Sequence, residues 1–187
     1  MNIAIYCGSN LGNHKDYEID AKKIIQYLNS KNVSIVYGGS KSGLMGTISN
    51  EAIKLKMQIN GVITHDLANK EIENKNISKI YKVNNIRERK AKMEELSDAF
   101  LALPGGFGTL EEISEVFTSI QIGQHIKPCA LYNQNGYYDK FVEFLKSCVD
   151  NGFINKVHFD SIIVSDDITY IYNSFLNYTA PKTKWEL

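Results

Sequence analysis

Six short runs of β-branched, aromatic and other apolar residues recur along the chain: 3–7 (IAIYC), 33–37 (VSIVY), 59–63 (INGVI), 99–103 (AFLAL), 129–133 (CALYN) and 161–164 (SIIV). The stretches between them follow a different period. Tyr17, Ala21, Ile24, Ile25 and Leu28 recur at helical spacing, and so do Phe141, Phe144, Leu145 and Val149. Residues 46–56, 87–96 and 110–122 are further predicted helices. Short buried strands separated by helices of this length imply right-handed βαβ crossovers. The expectation is an α/β fold: one Rossmann-like, doubly wound domain over residues 1–187, with a mostly parallel sheet and helices on both faces. Runs 33–37 and 99–103 are its expected central strands. The polar stretch 66–78 reads as a mobile loop, and the tail from about residue 178 as an irregular extension.

The chain has 187 residues, 43% of them hydrophobic, enough for one substantial core. Lys plus Arg and Asp plus Glu stand at 21 each, so no net field draws it to nucleic acid or to a membrane surface. Cys7, Cys129 and Cys148 are odd in number, lack CxxC spacing and lie in apolar stretches, as buried free thiols do. The opening MNIAIYCGSN lacks a basic region followed by a long apolar one, and no run reaches transmembrane length. A cytoplasmic protein with no nucleic-acid or membrane partner is expected.

Ligands of open α/β sheets collect at the carboxyl ends of the strands. Three of those ends carry glycine: CGSNLG (7–12), YGGSKSGLMG (37–46) and PGGFGT (104–109). Glycine is an ordinary way to leave a strand, but three such exits on one sheet edge point to a shared site. GxxxxGK[ST] is absent, Lys41 stands where GxGxxG needs its second glycine, and GGFGT fails the same spacing. What PGGFGT does offer is backbone N–H groups at a helix start with no Cβ to block approach. That suits a compact phosphate.

Two charged groups have two readings each. Thr109-Leu110-Glu111-Glu112 matches the capping box T-x-x-E, with Glu112 reaching back to the Thr109 amide. Alternatively Glu112 serves a ligand at that helix end. Neighbours on a helix point about 100° apart, so Glu111 and Glu112 cannot face each other as an acid/base pair. The run IRERKAKMEELSD (86–98) reads as a solvated helix with an i,i+4 pair Lys90–Glu94. Yet it precedes 99–103, which could bring Arg89 and Lys90 over the glycine turn. His14, His65, His125 and His158 show no metal-ligand spacing.

The joint pattern RERK…PGGFGTLEE…QIGQHIKPCALYNQNGYYD…GF, with YCGS and YGGSKSGLMG upstream, resembles the Lonely Guy (LOG) family of cytokinin riboside 5′-monophosphate phosphoribohydrolases. The likeness runs from about residue 3 to about residue 154. It implies hydrolysis of the N-glycosidic bond of adenosine 5′-monophosphate or its N6-prenylated form, without cofactor or metal, by a homodimer. A non-catalytic nucleotide carrier of the same superfamily is the alternative. Similar sequences have been labelled lysine decarboxylases, but nothing here marks a Schiff-base lysine or a pyridoxal phosphate site.

By position, the resemblance makes Arg89 and Glu112 the catalytic pair. It makes Lys90 and the segment Gly106, Phe107, Gly108, Thr109, Leu110, Glu111 and Glu112 nucleotide contacts, with Gly105, Gly108 and Thr109 around the phosphate. Glu71, Thr118, Gly8 and Ser9 match further substrate contacts. Three positions depart from the family pattern: Arg87 replaces a histidine, Ser40 a glycine and Ser119 a tryptophan.

Overall fold

β1 (Asn2–Tyr6), β2 (Ser34–Tyr37), β3 (Ile59–Thr64), β4 (Lys79–Val83), β5 (Ala99–Ala102), β6 (Cys129–Tyr132) and β7 (Ile163–Ser165) pair, always in parallel, in the order β4-β3-β2-β1-β5-β6-β7. The computed structural model describes residues 1–187, the side chains of Glu71 and Ile72 excepted. Between the strands run α1 (Lys15–Ser30), α2 (Gly43–Lys54), α3 (His65–Leu67), α4 (Ile86–Glu95), α5 (Phe107–Gln121), α6 (Asp139–Asp150) and α7 (Lys156–Asp160), and α8 (Ile168–Leu176) follows β7.

Alternation along each strand builds two cores. In β1, Ile3 and Ile5 face one side with Ile24, Ile25 and Leu28 of α1, Ile48 of α2 and Ile171 of α8. Ala4 and Tyr6 face the other, with Met93 of α4 and Ile113, Val116 and Ile120 of α5. Helices therefore cover both faces, as expected. Each fully buried Ile or Leu contributes roughly 1.5–3 kcal/mol, so both layers are well anchored.

The sheet has features the apolar runs do not announce. β4 (KIYKV) is an edge strand, half-exposed, with Lys79 and Lys82 turned to solvent; a run broken by lysines gives little hydrophobic signal, and edge lysines are a usual guard against further pairing. The last strand is shifted: α7 ends at Asp160, its C-cap Ser161 occupies the start of the expected 161–164 run, and β7 begins only at Ile163. α8 follows, capped by Asp167, whose carboxylate accepts from the Thr169 amide at 2.7 Å. In α6 Leu145 is buried but Phe144 is 61% exposed, so the expected apolar face is narrower than its spacing implied. Within 66–78, buried Asn74 ties the backbone to the sheet edge. Its amide donates to Gly39 O (2.9 Å) and its Nδ2 to Ser49 Oγ (2.9 Å). The tail beyond residue 180 is irregular, with His158 Nε2 2.9 Å from Lys182 O.

What matters for function is where the strand order turns. The chain fills the sheet outward from β1 to β4, then returns to β1's other side with β5. A crevice opens at such a reversal, beyond the carboxyl ends of β1 and β5.

Candidate active site

The exits of β1 and β5 meet in that crevice. Gly8 N donates to Pro104 O at 3.0 Å, and Leu44 N, from the start of α2, donates to Gly8 O at 3.1 Å. α5 begins immediately afterwards. Its N-cap is Gly106, which offers no side chain, so the amides of the first turn lack a capping acceptor. Gly105 is required sterically: a Cβ there would lie 2.1 Å from Thr109 Oγ1 and 2.9 Å from Gly8 N. The result is a helix end with open N–H donors and the positive end of its dipole facing a cavity of about 470 Å³.

This geometry corrects the capping-box expectation. The helix starts two residues before Thr109, which sits buried in its first turn, and Glu112 makes no cap. A box of that kind lies on α4 instead. Asn85 Oδ1 accepts from Glu88 N (3.0 Å), while Glu88 Oε2 accepts from Asn84 N (2.9 Å). That cap fixes the start of α4 and so the direction of Arg89, one turn further on.

Arg89 crosses from α4 into the cavity. Its Nε donates to Val62 O of β3 (3.0 Å) and its Nη1 to Glu112 Oε1 (2.7 Å). Both side chains are largely covered, 12% and 9% exposed. Gly38, at the end of β2, leaves the space for the guanidinium: a Cβ there would stand 2.2 Å from Arg89 Nη2. Burial raises the Glu112 carboxyl above the ordinary carboxylate range, and the charge and hydrogen bond of Arg89 pull it part of the way back. Cys7 also lines the cavity, but burial pushes its thiol far up and leaves it a protonated bystander.

Gly8, Ser9, Gly106, Phe107, Gly108 and Thr109 line the cavity with Arg89 and Glu112. Gly105 lies just behind this wall. Glu111 points away, as the 100° offset requires. It and Glu115 hold Lys90, so Lys90 bridges α4 to α5 and makes no Lys90–Glu94 pair along its own helix. Leu110 packs against the second core. Thr118 Oγ1 donates to Ser114 O (2.9 Å), and Thr118 lines a separate pocket of about 160 Å³. The Glu71 side chain lies outside the described residues. Among the described residues no group of three or more His, Cys, Asp or Glu could hold a metal ion.

On the opposite wall the YGGSKSGLMG exit, placed at the shared edge from the sequence, supplies Ser40, Ser42 and Met45; sequence reasoning missed Ile63 of β3, Leu67 of α3 and Met93 of α4. The usable signal was positional. Ile63 and Leu67 lie at the carboxyl end of β3, as the recognised glycines lie at theirs, but apolar residues there look like any core or loop.

A doubly wound sheet with an anion-ready helix end and a buried Arg–Glu pair at its switch point defines the class: a small-molecule α/β enzyme scaffold. Comparison with known proteins narrows it. The family model described as "Possible lysine decarboxylase" matches residues 45–175. The cytokinin riboside 5′-monophosphate phosphoribohydrolase LOG1 of Arabidopsis thaliana is 37% identical over 191 residues, covering 99% of this chain and 90% of that one. LOG2 of the same plant is 40% identical, covering 82% and 72%. In structure, the molybdenum cofactor binding protein of Rippkaea orientalis superposes with a TM-score of 0.69 at 15% identity, covering 94% of this chain and 95% of that one. The Moco carrier protein of Chlamydomonas rheinhardtii gives 0.66 at 16%, covering 95% and 98%. At such identities the structural likeness speaks for the fold alone. The chain belongs to the LOG family.

Proposed function

We propose that this chain hydrolyses the N-glycosidic bond of adenosine 5′-monophosphate or its N6-prenylated form, releasing free base and ribose 5-phosphate. One observation carries the reading: a buried carboxylate, Glu112, held by Arg89 just over one turn into the helix whose uncapped end opens on the same cavity. The names of the LOG relatives support it, and the methionines, Ile63 and Leu67 supply an apolar wall suited to a base or a prenyl group.

With phosphate on the α5 amides, the ribose is held near Glu112. The C1′–N bond breaks with its electron pair moving to the base, which takes up a proton from solvent. The sugar passes through an oxocarbenium-like state that the carboxylate stabilises. Water then bonds to C1′, and its proton passes to Glu112, which returns it to solvent and balances the one the base took up. Arg89 favours the ionised form of the carboxyl and aims it. Binding energy from the remote phosphate orients the reacting centre. Gly8, Ser9 and Phe107 complete this protomer's contacts.

Chromatography of free adenine and prenyl-adenine tests the reading. AMP or its prenylated form should yield base and ribose 5-phosphate far faster than the corresponding nucleoside. Equal rates on adenosine and AMP would remove the reason for the open helix end, and tight retention of nucleotide without release would make this a carrier.

The reading includes a homodimer. Lys90, Glu111 and Thr118 lie on α4 and α5 outside their own cavity, and Phe107 at its rim is 93% exposed. A second copy would give these residues a site to serve. Sedimentation at assay concentration should give the mass of two chains; a single-chain mass would sink this part.

A further inference from the structure

The α5 turn is braced from behind by two consecutive tyrosines. After β6 the chain makes a tight turn in which Asn135 and Gly136 take positive φ (50° and 72°), and Asn133 Oδ1 accepts from Tyr138 N at 2.7 Å. That turn sends Tyr137 and Tyr138 toward the end of β5, their rings edge to face with centroids 5.0 Å apart. Tyr137 is held on its other side by Tyr17 of α1, at 5.9 Å.

Their hydroxyls reach two carbonyls of the same turn. Tyr138 Oη donates to Leu103 O (2.7 Å) and Tyr137 Oη to Gly105 O (2.6 Å), while Pro104 O between them accepts from Gly8 N. Three successive carbonyls are thus pinned. In a trans peptide the C=O and the following N–H point in opposite directions, so fixing one aims the other. The Gly105 carbonyl is drawn to Tyr137, which lines the adjoining pocket and not the cavity, so the Gly106 N–H points away from Tyr137; Gly106 itself borders both spaces. Leu103 differs: the next residue is Pro104, which has no N–H to aim.

We propose that Tyr137 is a positioning residue for phosphate, orienting the Gly105–Gly106 peptide so that its N–H joins the α5 amides, whereas Tyr138 serves stability alone. Without the hydroxyl a glycine peptide plane is free to rotate, because neither flanking residue has a Cβ to resist it. The inference rests on the phosphate reading above, and its test separates the two.

Wild-type protein, Tyr137→Phe and Tyr138→Phe are compared for AMP kinetics, inhibition by ribose 5-phosphate, hydrolysis of adenosine and melting temperature. For Tyr137→Phe, KM for AMP and the inhibition constant of ribose 5-phosphate should rise about three- to tenfold, the worth of one hydrogen bond. Its kcat should change by less than about twofold, with adenosine hydrolysis and melting temperature unmoved. Tyr138→Phe should show the reverse: a melting temperature lower by about 2–6 °C from the lost buried bond, with inhibition unchanged. An unchanged inhibition constant in Tyr137→Phe overturns the proposal, as does an equal loss on adenosine and AMP. If ribose 5-phosphate fails to inhibit the wild-type protein and adenosine is cleaved as fast as AMP, the phosphate reading fails and takes this one with it.

Discussion

Glu112→Gln is expected to lower turnover of AMP by about two orders of magnitude or more while leaving AMP binding intact. The substitution preserves volume, and the amide oxygen can still accept from Arg89 Nη1, so the pair keeps its geometry. Removing the negative charge also removes the cost of burying it. What is lost is a charge needed mainly when positive character develops at C1′. The proposed phosphate cradle, made of backbone amides, is untouched. Because α5 begins at Phe107, loss of a helix cap is no longer a competing explanation for a drop in rate. Turnover near the wild-type level would leave Glu112 as nothing more than a partner for Arg89. The measurement is steady-state release of adenine alongside equilibrium binding of AMP.

Arg89→Met should damage both activity and stability, with a pH signature that identifies the cause. It removes the group that does most to bring the Glu112 carboxyl back down and leaves only the weaker pull of Lys90 against burial, so that carboxyl rises further. If Glu112 acts ionised, the acid limb of kcat/KM lies above the ordinary carboxylate range in the wild-type protein and moves to still higher pH in the variant. The stability consequence has a defined sign. A carboxyl with a raised folded pKa contributes stability that is fully present below its unfolded value and is lost as pH rises through the folded one. Arg89→Met should therefore lose most stability at neutral and alkaline pH, about 3 kcal/mol where Glu112 is forced to ionise unpaired, and recover toward acid. Thermal melts at several pH values check this. A deficit independent of pH would mean that Arg89 stabilises through packing and its bond to Val62 O, not through Glu112.

The fold was legible because its signal is redundant. β1, β2, β3, β5 and β6 are buried on both faces, and a strand of that kind must be an apolar run wherever it occurs. The site was legible in part: the glycines at the β1 and β5 exits have the unusual composition that close backbone approach demands. β4 escaped because an edge strand needs only one partner and half a core. Ile63, Leu67 and Met93 escaped because nothing in those residue types separates lining a cavity from filling one.

The sequence by itself determined the layer architecture, the sheet edge that carries the candidate site, and the divergence of Glu111 from Glu112. Those follow from periodicities of 2 and 3.6 and from the steric freedom of glycine, all local properties of the chain. Only the tertiary structure decided that Glu112 meets Arg89 and not the Thr109 amide, and that Lys90 turns to Glu111 and Glu115 and not to Glu94. Each of those choices depends on how α4 packs against α5 across the end of the sheet. A carboxylate or an ammonium takes the partner that best offsets its desolvation, and which partner stands within reach is a matter of space, not of sequence separation.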